Sequence, residues 1–509
     1  MPIPSLSPST IQWVTTMITT ASQPIPSCEA EPLQFSSCIQ SFGGLLKVDD
    51  QGIISHASTN LPSLLNIEMA ALLGHSSTAA GLEWLTDYLN RLPCDVEPGH
   101  AEQFAHIDQY VSLDINIIAT ETGRLIEIEP YQATDQQNHC RHFQVQLLKI
   151  PNNGYELKQY HQLILSCIQT ITGLNRLMVY RFHEDWSGDV IAELAAHGFG
   201  SYLGLRFPAS DIPNNARQLY LLNPFRSIPD ITAPVIPVKG IHNEPLDLSR
   251  TDLRSVSPYH LEYLNNMGVA ASFSLPITIN NQLWGLIVGH HLKPLLLPAA
   301  LRHACATLVK SYTMGLRNYL STSRAKMSDQ LDRKVENWLN CVFATDNTLD
   351  NIEKNSQEMT EELCADGFAA IINQEAISLG TAPDLTDLSR INDWLNQQPD
   401  YLLATSCLPT LFPYQPLESQ GICGMLALKA DSARHGLIRF FWFRGEEKQE
   451  IAWGGNPNKP IIEKTDVMSL SPRRSFEKWI ETHTGYSRPW QEYEKLFATK
   501  VRAKILVTK

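Results

Sequence analysis

Close cysteine pairs, long apolar runs and an excess of basic residues are all missing from this 509-residue sequence. Its ten cysteines are scattered from Cys28 to Cys423 without a CxxC pair, which disfavours a zinc site and a disulfide framework. No apolar run approaches the length of a transmembrane helix, and the N-terminus lacks the basic region and apolar core of a secretory signal. The net charge of −13 argues against general nucleic-acid binding, which needs a basic face. We therefore expect a protein of the reducing cytoplasm that binds no nucleic acid, membrane or metal.

The length and composition indicate several folded domains. A chain of 509 residues is too long for one core, so about three domains are expected. Hydrophobic residues make up 43% of the chain and charged residues 18%, which is ordinary for a folded protein. The segment PNNG at residues 151–154 has the composition of a domain boundary.

The densest chemistry lies in residues 251–274, which read TDLRSVSPYHLEYLNNMGVAASFS. Its polar side chains recur at helical or strand spacing: Arg254, Ser257, His260, Tyr263, Ser272 and Ser274. The arginine offers a planar fork of donors that suits a carboxylate. The next three residues would share one side of a helix, and the two serines would share one face of a strand. The stretch predicts a cradle for a large anionic ligand, with ordinary surface or packing roles as the alternative.

The same stretch resembles the signature of phytochrome photoreceptors in the domain called GAF, where LRSVSP, His, YL and NMGV elements surround a bilin chromophore. Two further motifs occur in the same order as in the family. SYLGLRFPASDIPNNARQLY at residues 201–220 is similar to the PASDIP motif, and LSPRRSFEKW at residues 470–479 is similar to the PRxSF motif of the third domain. The resemblance covers nearly the whole chain, from about Cys28 to the C-terminus.

The resemblance implies an α+β fold with three domains, PAS, GAF and PHY, each with a central antiparallel sheet flanked by helices. The implied ranges are a variable segment at 1–27, PAS at 28–150, GAF at 151–320, and PHY at 321–509 with a tongue hairpin at about 440–482. A long helix from Pro298 to about Asp346 would join GAF to PHY. The segment before the PAS sheet would thread the long, Pro-rich loop 223–252 in a figure-of-eight knot.

One position decides which chromophore the resemblance implies. Plant and cyanobacterial relatives attach their bilin through a cysteine directly before the motif histidine, where this chain has Tyr259. The match is therefore to bacteriophytochromes, in which a cysteine ahead of the first PAS strand forms a thioether with biliverdin IXα, a linear tetrapyrrole. Cys28 has that place, and Cys38 is a second candidate.

The resemblance also implies roles for residues around the bilin. An aromatic trio would contact the terminal D ring, with plain core packing as its alternative. The aspartate of PASDIP and the motif histidine would face the pyrrole nitrogens, and further polar groups would hold the propionates and the D-ring carbonyl. The complete predicted set is Cys28 (thioether), Tyr180, Tyr202 and Phe207 (D ring), Asp211, Ile212, Pro213, Tyr220 and Arg226 (propionate), Arg254, Ser257, His260, Tyr263, Ser272, Ser274 and His290 (D-ring carbonyl).

Local patterns predict several elements directly. Strand-like runs flank the turns DDQG at 49–52 and DWSGD at 185–189, which indicates two hairpins. Residues 155–172 are typical of an amphipathic helix that ends at Gly173. The runs GRLIEIEPY at 123–131 and HFQVQLLKI at 142–150 predict strands, and Asp211 has the position of an N-cap for the helix NNARQLY.

By the same resemblance, the chain is a red/far-red photoreceptor in which light isomerises the bilin and the tongue changes from strand to helix. Arg473 would pair with Asp211 in the red-absorbing state, and Ser475 would replace it after the change. A parallel homodimer through the long helices and a C-terminal output domain or downstream signalling partner are implied. No kinase, P-loop or cyclase motif follows, so no enzyme activity is expected of this chain. Two alternatives stay open: a PAS–GAF ligand-sensing or dimerisation scaffold without bilin, and the sensor half of a histidine kinase or cyclase.

Overall fold

The computed structural model divides the chain into two compact units. One unit comprises residues up to Asn318 together with Trp453–Trp479, and the other comprises Tyr319–Ala452 with the residues from Ile480 onward. The described residues are 31–91, 96–107, 112–134, 137–242, 244–345, 347–412, 420–457, 463–464, 467–468 and 476–507.

The first sheet lies in the first unit, and its neighbouring strands are antiparallel. Its strands are β1 (Cys38–Gln40), β2 (Gly44–Val48), β3 (Ile54–Ser58), β4 (Ala101–Ile107), β5 (Ser112–Thr120), β6 (Gly123–Pro130) and β11 (Val235–Gly240), in the order β1-β11-β3-β2-β6-β5-β4. The helices α1 (Leu61–Leu65), α2 (Met69–Leu72) and α3 (Glu83–Arg91) bury apolar side chains against it. The first predicted hairpin is confirmed: Asp49 Oδ1 accepts hydrogen bonds of 2.9 Å from the backbone N–H groups of Gln51 and Ile53, which closes the turn between β2 and β3.

The long loop at residues 223–252 contains regular structure that its composition did not indicate. Strand β11 inserts between β1 and β3, with Cys38 opposite Pro237. Its side chains alternate between exposed and half-buried, which is a strand period that the prolines and glycines of the segment obscured. The Gln40 side chain donates 3.0 Å hydrogen bonds to the carbonyls of Ser227 and Asp252, so β1 lies against both ends of the loop. This arrangement agrees with the predicted threading, and the knot itself stays a prediction.

The second sheet, also in the first unit, carries the cavity described below. Six of its eight strands are β7 (Arg176–Phe182), β8 (Gly188–Ala195), β9 (Arg206–Phe207), β10 (Arg226–Ile228), β12 (Ala271–Ile279) and β13 (Gln282–His291), in the order β10-β12-β13-β7-β8-β9. One face packs on α4 (Gln137–Leu147), α5 (Gly154–Thr172) and the start of α8 (Ala299–Val342). The other face is approached by α6 (Asn214–Leu222) and α7 (Pro258–Asn266). Asn153 caps α5 by accepting from the Glu156 N–H at 2.9 Å, and Gly173 ends it at a φ of 71°, as predicted.

The prediction of a strand at residues 142–150 is wrong, because residues 137–147 form the helix α4. Cys140, Phe143 and Leu147 lie three and four residues apart and pack on the core of the second sheet, so the apolar side chains of this segment follow the spacing of a helix. The alternation in HFQVQLLKI extends over too few residues to separate the two periods, and Val145 is 64% exposed.

The predicted connecting helix is confirmed as α8, which has 44 residues and continues from the first unit into the second. Leu308, Tyr312 and Leu316 are buried near its start, and Leu331, Val335 and Leu339 near its end. Gly315, the weak helix former in this segment, has a packing reason: a Cβ at this position would lie 2.2 Å from the Tyr160 hydroxyl.

The third sheet forms the second unit with helices on both faces. Its strands are β14 (Gly367–Ile372), β15 (Glu375–Gly380), β16 (Leu402–Thr405), β17 (Ile422–Ser432) and β18 (Gly436–Gly445), in the order β15-β14-β18-β17-β16. The helices of this unit are the end of α8, α9 (Thr348–Glu362), α10 (Leu385–Gln397), α11 (Leu408–Leu411) and α12 (Glu492–Val507). The last two strands of the second sheet, after β9, are β19 (Gln449–Gly454), which is parallel to β9, and β22 (Lys478–His483). The short strands β20 (Glu463–Lys464) and β21 (Val467–Met468) pair with each other.

The three large antiparallel sheets with flanking helices confirm the predicted α+β class. Among the residues that the structure describes, no helix combines the length and the apolar character required to cross a membrane.

Candidate chromophore-binding site

A cavity of about 380 Å³ lies on the second sheet, on the face opposite the α4–α5–α8 core. Strand alternation separates the two faces: Leu177 and Val179 enter the core, whereas Met178 and Tyr180 line the cavity. Every predicted chromophore-binding residue within the described ranges lines this cavity: Tyr180, Tyr202, Phe207, Asp211, Ile212, Pro213, Tyr220, Arg226, Arg254, Ser257, His260, Tyr263, Ser272, Ser274 and His290. Cys28, Arg473 and Ser475 lie outside the described residues.

Two buried arginines give one part of the cavity a positive charge. Arg226 donates to the backbone carbonyls of Asp252 at 2.5 Å, Arg254 at 2.6 Å and Ser255 at 3.2 Å. The Asp252 carboxylate accepts from Arg302 at 2.7 Å, and its nearest approach to Arg226 is 4.0 Å. Burial, and then the neighbouring Arg226, lower the pKa of Arg254 to about 9. Within the described residues, Arg226 thus has only a long ion pair with Asp252 and Arg254 has no ion pair, which suits an anionic ligand.

Hydroxyl groups extend this cationic part of the cavity. Ser272 and Ser274 are buried on one face of β12, as their alternation predicted. The Tyr220 hydroxyl lies 2.8 Å from Ser274 Oγ, and Ser227 N on β10 is anchored to the Asp252 carboxylate at 2.7 Å. The hydroxyls can therefore donate to a carboxylate that the arginines attract.

Two neutral imidazoles also line the cavity. Burial, then the positive charge of Arg226, lower the pKa of His260 to about 4, and burial, then Arg176, lower that of His290 to about 3. His290 Nδ1 is buried and has no hydrogen-bond partner among the described residues. A neutral imidazole offers one donor and one acceptor, so both rings can hydrogen-bond a polar ligand.

Asp211 is placed by a tight turn and not as a helix cap. It ends the 3₁₀ turn Ala209–Asp211, and Pro213, whose extended backbone separates the turn from α6, occupies the N-cap position. The Tyr263 hydroxyl donates to Asp211 Oδ2 at 3.1 Å, and the Tyr263 ring stacks with His260 at a centroid distance of 5.9 Å. The predicted cap is wrong, because the proline fixes the chain outside the helix before Asp211 can reach its first N–H groups.

Aromatic rings close the other end of the cavity. The Phe207 ring lies 6.2 Å from Tyr180 and 5.7 Å from Tyr202, measured between centroids. Glycine is required beside two of them: a Cβ at Gly188 would lie 2.2 Å from the Tyr180 ring, and one at Gly454 would lie 2.6 Å from Phe207. Gly454 follows Trp453, which pairs in parallel with Arg206, so residues 453 and 454 lie at this end of the cavity.

Several lining residues were not predicted from the sequence. Glu31 lines the cavity and its carboxylate accepts from Ser257 Oγ at 2.7 Å, while its carbonyl accepts from Asn215 Nδ2 at 2.9 Å. Its position three residues after Cys28 was the available signal. The apolar lining was also missed: Met178, Val190, Leu286 and Val288. Met178 lies two residues from Tyr180 and Val288 two residues from His290, so each shares a strand face with a predicted residue.

The predicted second nucleophile does not reach the cavity. Cys38 is 2% exposed in β1 and is absent from the cavity lining among the described residues. Burial raises the pKa of its thiol, which disfavours the reactive thiolate.

Comparison with known proteins places this chain in a class and a family. Profiles of the PAS fold, the GAF domain and the phytochrome region match residues 28–131, 157–311 and 332–508. The fold and the cavity thus define a chain of the PAS–GAF–PHY class.

The chain is similar to cyanobacterial phytochrome B of Nostoc sp., with 31% identity over 95% of this chain and 66% of that protein. It is also similar to a bacteriophytochrome of Xanthomonas campestris, with 31% identity over 96% of this chain and 80% of that protein. The chain belongs to the phytochrome family. The chain spans 66% of the length of cyanobacterial phytochrome B and 65% of that of cyanobacterial phytochrome A of Nostoc sp., which is about two thirds of each.

Solved structures agree with this assignment. Bacteriophytochrome RpBphP3 from R. palustris superposes with a TM-score of 0.79 and 30% identity, over 94% of this chain and 98% of that one. The photosensory core module of the Stigmatella aurantiaca phytochrome gives a TM-score of 0.79 and 29% identity, over 95% and 98%.

Proposed function

We propose that this chain is the photosensory part of a red/far-red photoreceptor, with biliverdin held in the cavity of the second sheet. Phytochromes as a family bind a bilin. The observation that carries the proposal is the order of side chains across one cavity, which follows the strands of the second sheet: Arg226 on β10, Ser272 and Ser274 on β12, His290 on β13, Tyr180 on β7 and Phe207 on β9. A linear tetrapyrrole has two carboxylates, which match the arginines, and a polar terminal ring, which matches the imidazole and the aromatic residues.

The residues present fit such a group on two counts. Arg226 and Arg254 supply positive charge that no described carboxylate contacts more closely than 4.0 Å, so they would hold the propionates. His290 Nδ1 is buried without a partner among the described residues, so it would serve the carbonyl of the terminal ring. When bound, a bilin supplies the absorption of light and the photoisomerisation. The protein orients it, excludes water and holds the charges.

The proposal includes the domain ranges 28–150, 151–320 and 321–509, and an output domain or partner beyond this chain. It also includes a parallel homodimer through α8, supported by Met314, Leu320 and Met327, which are 66%, 36% and 40% exposed on that helix. We also propose that this chain has no catalytic role of its own.

The test titrates the protein with biliverdin and with biliverdin dimethyl ester, which keeps the ring system but lacks the carboxylates. We expect the parent to bind the diacid at least about tenfold more tightly, because each buried ion pair discriminates by more than 1 kcal/mol. Arg254→Leu should remove most of this preference. Arg250→Leu is the matched control, because Arg250 lies in the same segment outside the cavity lining.

Equal binding of both compounds by the parent, or an unchanged preference in Arg254→Leu, would contradict the proposed site. No binding of either compound would favour a scaffold without bilin.

A further inference from the structure

A buried ion pair lies directly behind the aromatic end of the cavity. Arg176 begins β7 and Glu193 lies on β8, with 3.3 Å between Arg176 Nε and Glu193 Oε1. Their side chains are only 3% and 6% exposed. Neither residue lines the cavity, so neither would contact the chromophore.

The Glu193 carboxylate organises the turn that carries Tyr202. It accepts hydrogen bonds from Ser201 Oγ at 2.6 Å, from Tyr202 N at 3.1 Å and from Leu203 N at 3.2 Å. The turn lies at the surface, since Leu203 is 55% exposed, and two of its backbone donors, Tyr202 N and Leu203 N, converge on this carboxylate. The position of the Tyr202 backbone therefore depends on the charge and reach of Glu193.

The Arg176 guanidinium holds the ring of the same tyrosine. Its central carbon lies 4.0 Å from the Tyr202 ring centroid and 4.6 Å from that of Phe199, and it donates to the Gly200 carbonyl. Phe207 also contacts the Tyr202 ring, in an edge-to-face geometry. A cation over a desolvated aromatic ring is a directional attraction, so the ring is fixed where it forms the cavity wall.

Arg176 also lies beside His290, because the two residues are opposite each other in the ladder between β7 and β13. Its positive charge adds to burial in lowering the pKa of His290, which keeps the imidazole neutral. One buried pair thus acts on two side chains of the cavity, a phenol and an imidazole.

A buried ion pair adds little net stability compared with apolar residues of the same size, and its best use is to specify geometry. We propose that Arg176 and Glu193 are positioning residues that hold Tyr202 and His290 in the orientation that sets the absorption band of the chromophore and the lifetime of its light-induced state. This inference rests on the proposed function and adds residues outside the cavity to it.

The test compares biliverdin-loaded Arg176→Lys and Glu193→Gln with the parent. Both variants should load chromophore, because the cavity lining is intact. The absorption band should shift, and the rate of dark reversion should change by about fivefold, which corresponds to the loss of one cation–π contact or charged hydrogen bond. If either variant does not accumulate as folded protein, Glu193→Asp takes its place. It should change the absorption band and the rate of dark reversion in the same direction as the first variants, by a smaller amount.

The matched control is a second buried ion pair of the same type. Arg444 lies 3.6 Å from the Trp490 ring centroid and 2.6 Å from Glu494 Oε1, and none of these residues lines the cavity. Arg444→Lys should lower the thermal midpoint as Arg176→Lys does, yet leave the band and the reversion rate within about twofold of the parent.

A double-mutant cycle separates positioning from general destabilisation. In a Tyr202→Leu background, Arg176→Lys should have little further effect on reversion, because the ring on which it acts is gone. Unchanged band and lifetime in Arg176→Lys, equal changes in Arg444→Lys, or additive effects with Tyr202→Leu would each overturn the inference. Failure of the proposed function itself is distinguishable, because the parent would then show no light-induced change.

Discussion

Tyr259 and His260 are adjacent on the first turn of α7, and both line the cavity. A tyrosine at position 259 leaves this part of the wall without a thiol. Cys38 is buried in β1 with a raised pKa, so it is a poor nucleophile. At the scale of single residues, these facts leave Cys28 as the attachment site that we propose.

The first prediction concerns that attachment. Cys28→Ala should abolish the bilin signal that survives denaturation on a gel, because the cavity lining within the described residues contains no cysteine. Noncovalent binding should persist, since the arginines remain. Cys38→Ala is the control and should stay covalently loaded; loss of covalent bilin in Cys38→Ala with retention in Cys28→Ala would reverse the assignment.

The second prediction concerns protonation of the bound chromophore. The pKa of His260 is lowered to about 4, so the imidazole is neutral from pH 6 to 9 and does not itself titrate there. We predict that it keeps the pyrrole nitrogens protonated through hydrogen bonds. His260→Ala should therefore lower the apparent pKa of the bilin by about one unit or more and bleach the red band at mildly alkaline pH.

His303→Ala is the matched control for this titration. Burial, then Arg302, also lower the pKa of His303 to about 4, but His303 lies outside the lining of the cavity. Its absorption titration should follow that of the parent. A parent-like titration in His260→Ala would remove His260 from this role.

At the scale of elements, turn residues and apolar spacing predicted the secondary structure correctly where the spacing fits either a helix or a strand but not both. The hairpin between β2 and β3 and the capped helix α5 follow from turn residues and from a long apolar stripe. The helix α4 was predicted as a strand because its short run fits both periods, and tertiary packing of Phe143 decided between them. Strand β11 was missed because its partners, β1 and β3, are almost 200 residues away in the sequence.

The third prediction concerns the tongue. Phe476, the last residue of the PRxSF motif that contains Arg473 and Ser475, packs edge-to-face on Tyr263 at 5.0 Å, and Tyr263 donates to Asp211. We propose that Arg473 pairs with Asp211 in the red-absorbing state, since a carboxylate at a covered cavity favours a cationic partner. If the tongue becomes helical, residues 473 and 475 turn about 200° apart, which would replace the arginine by the serine.

Arg473→Ala should leave covalent loading intact and impair the formation or the lifetime of the far-red-absorbing state. Arg434→Ala, which removes an exposed arginine in the turn between β17 and β18, is the control for loss of charge. Photoconversion and reversion at parental rates in Arg473→Ala would exclude Arg473 as the partner of Asp211.

At the scale of the whole molecule, the cavity could not be predicted from physical reasoning on the sequence alone. Its lining extends from Glu31 to His290, and the antiparallel ladders between β10, β12, β13 and β7 bring these residues together. Spacing indicated only the local cradle between Arg254 and Ser274. The resemblance supplied the remaining residues, and the structure shows that they share one cavity. Neither the spacing nor the resemblance predicted a role for the Arg176–Glu193 pair, because that role follows from its contacts with the turn at Tyr202.

The central claim is that the cavity makes this chain a photoreceptor, and alternating illumination tests it most directly. The full chain is loaded with biliverdin, purified from unbound pigment, and exposed in turn to red and far-red light while absorption is recorded. We predict a red band that decreases as a far-red band rises, with mirror-image difference spectra over repeated cycles. A bound pigment whose spectrum is the same before and after both exposures would contradict the account.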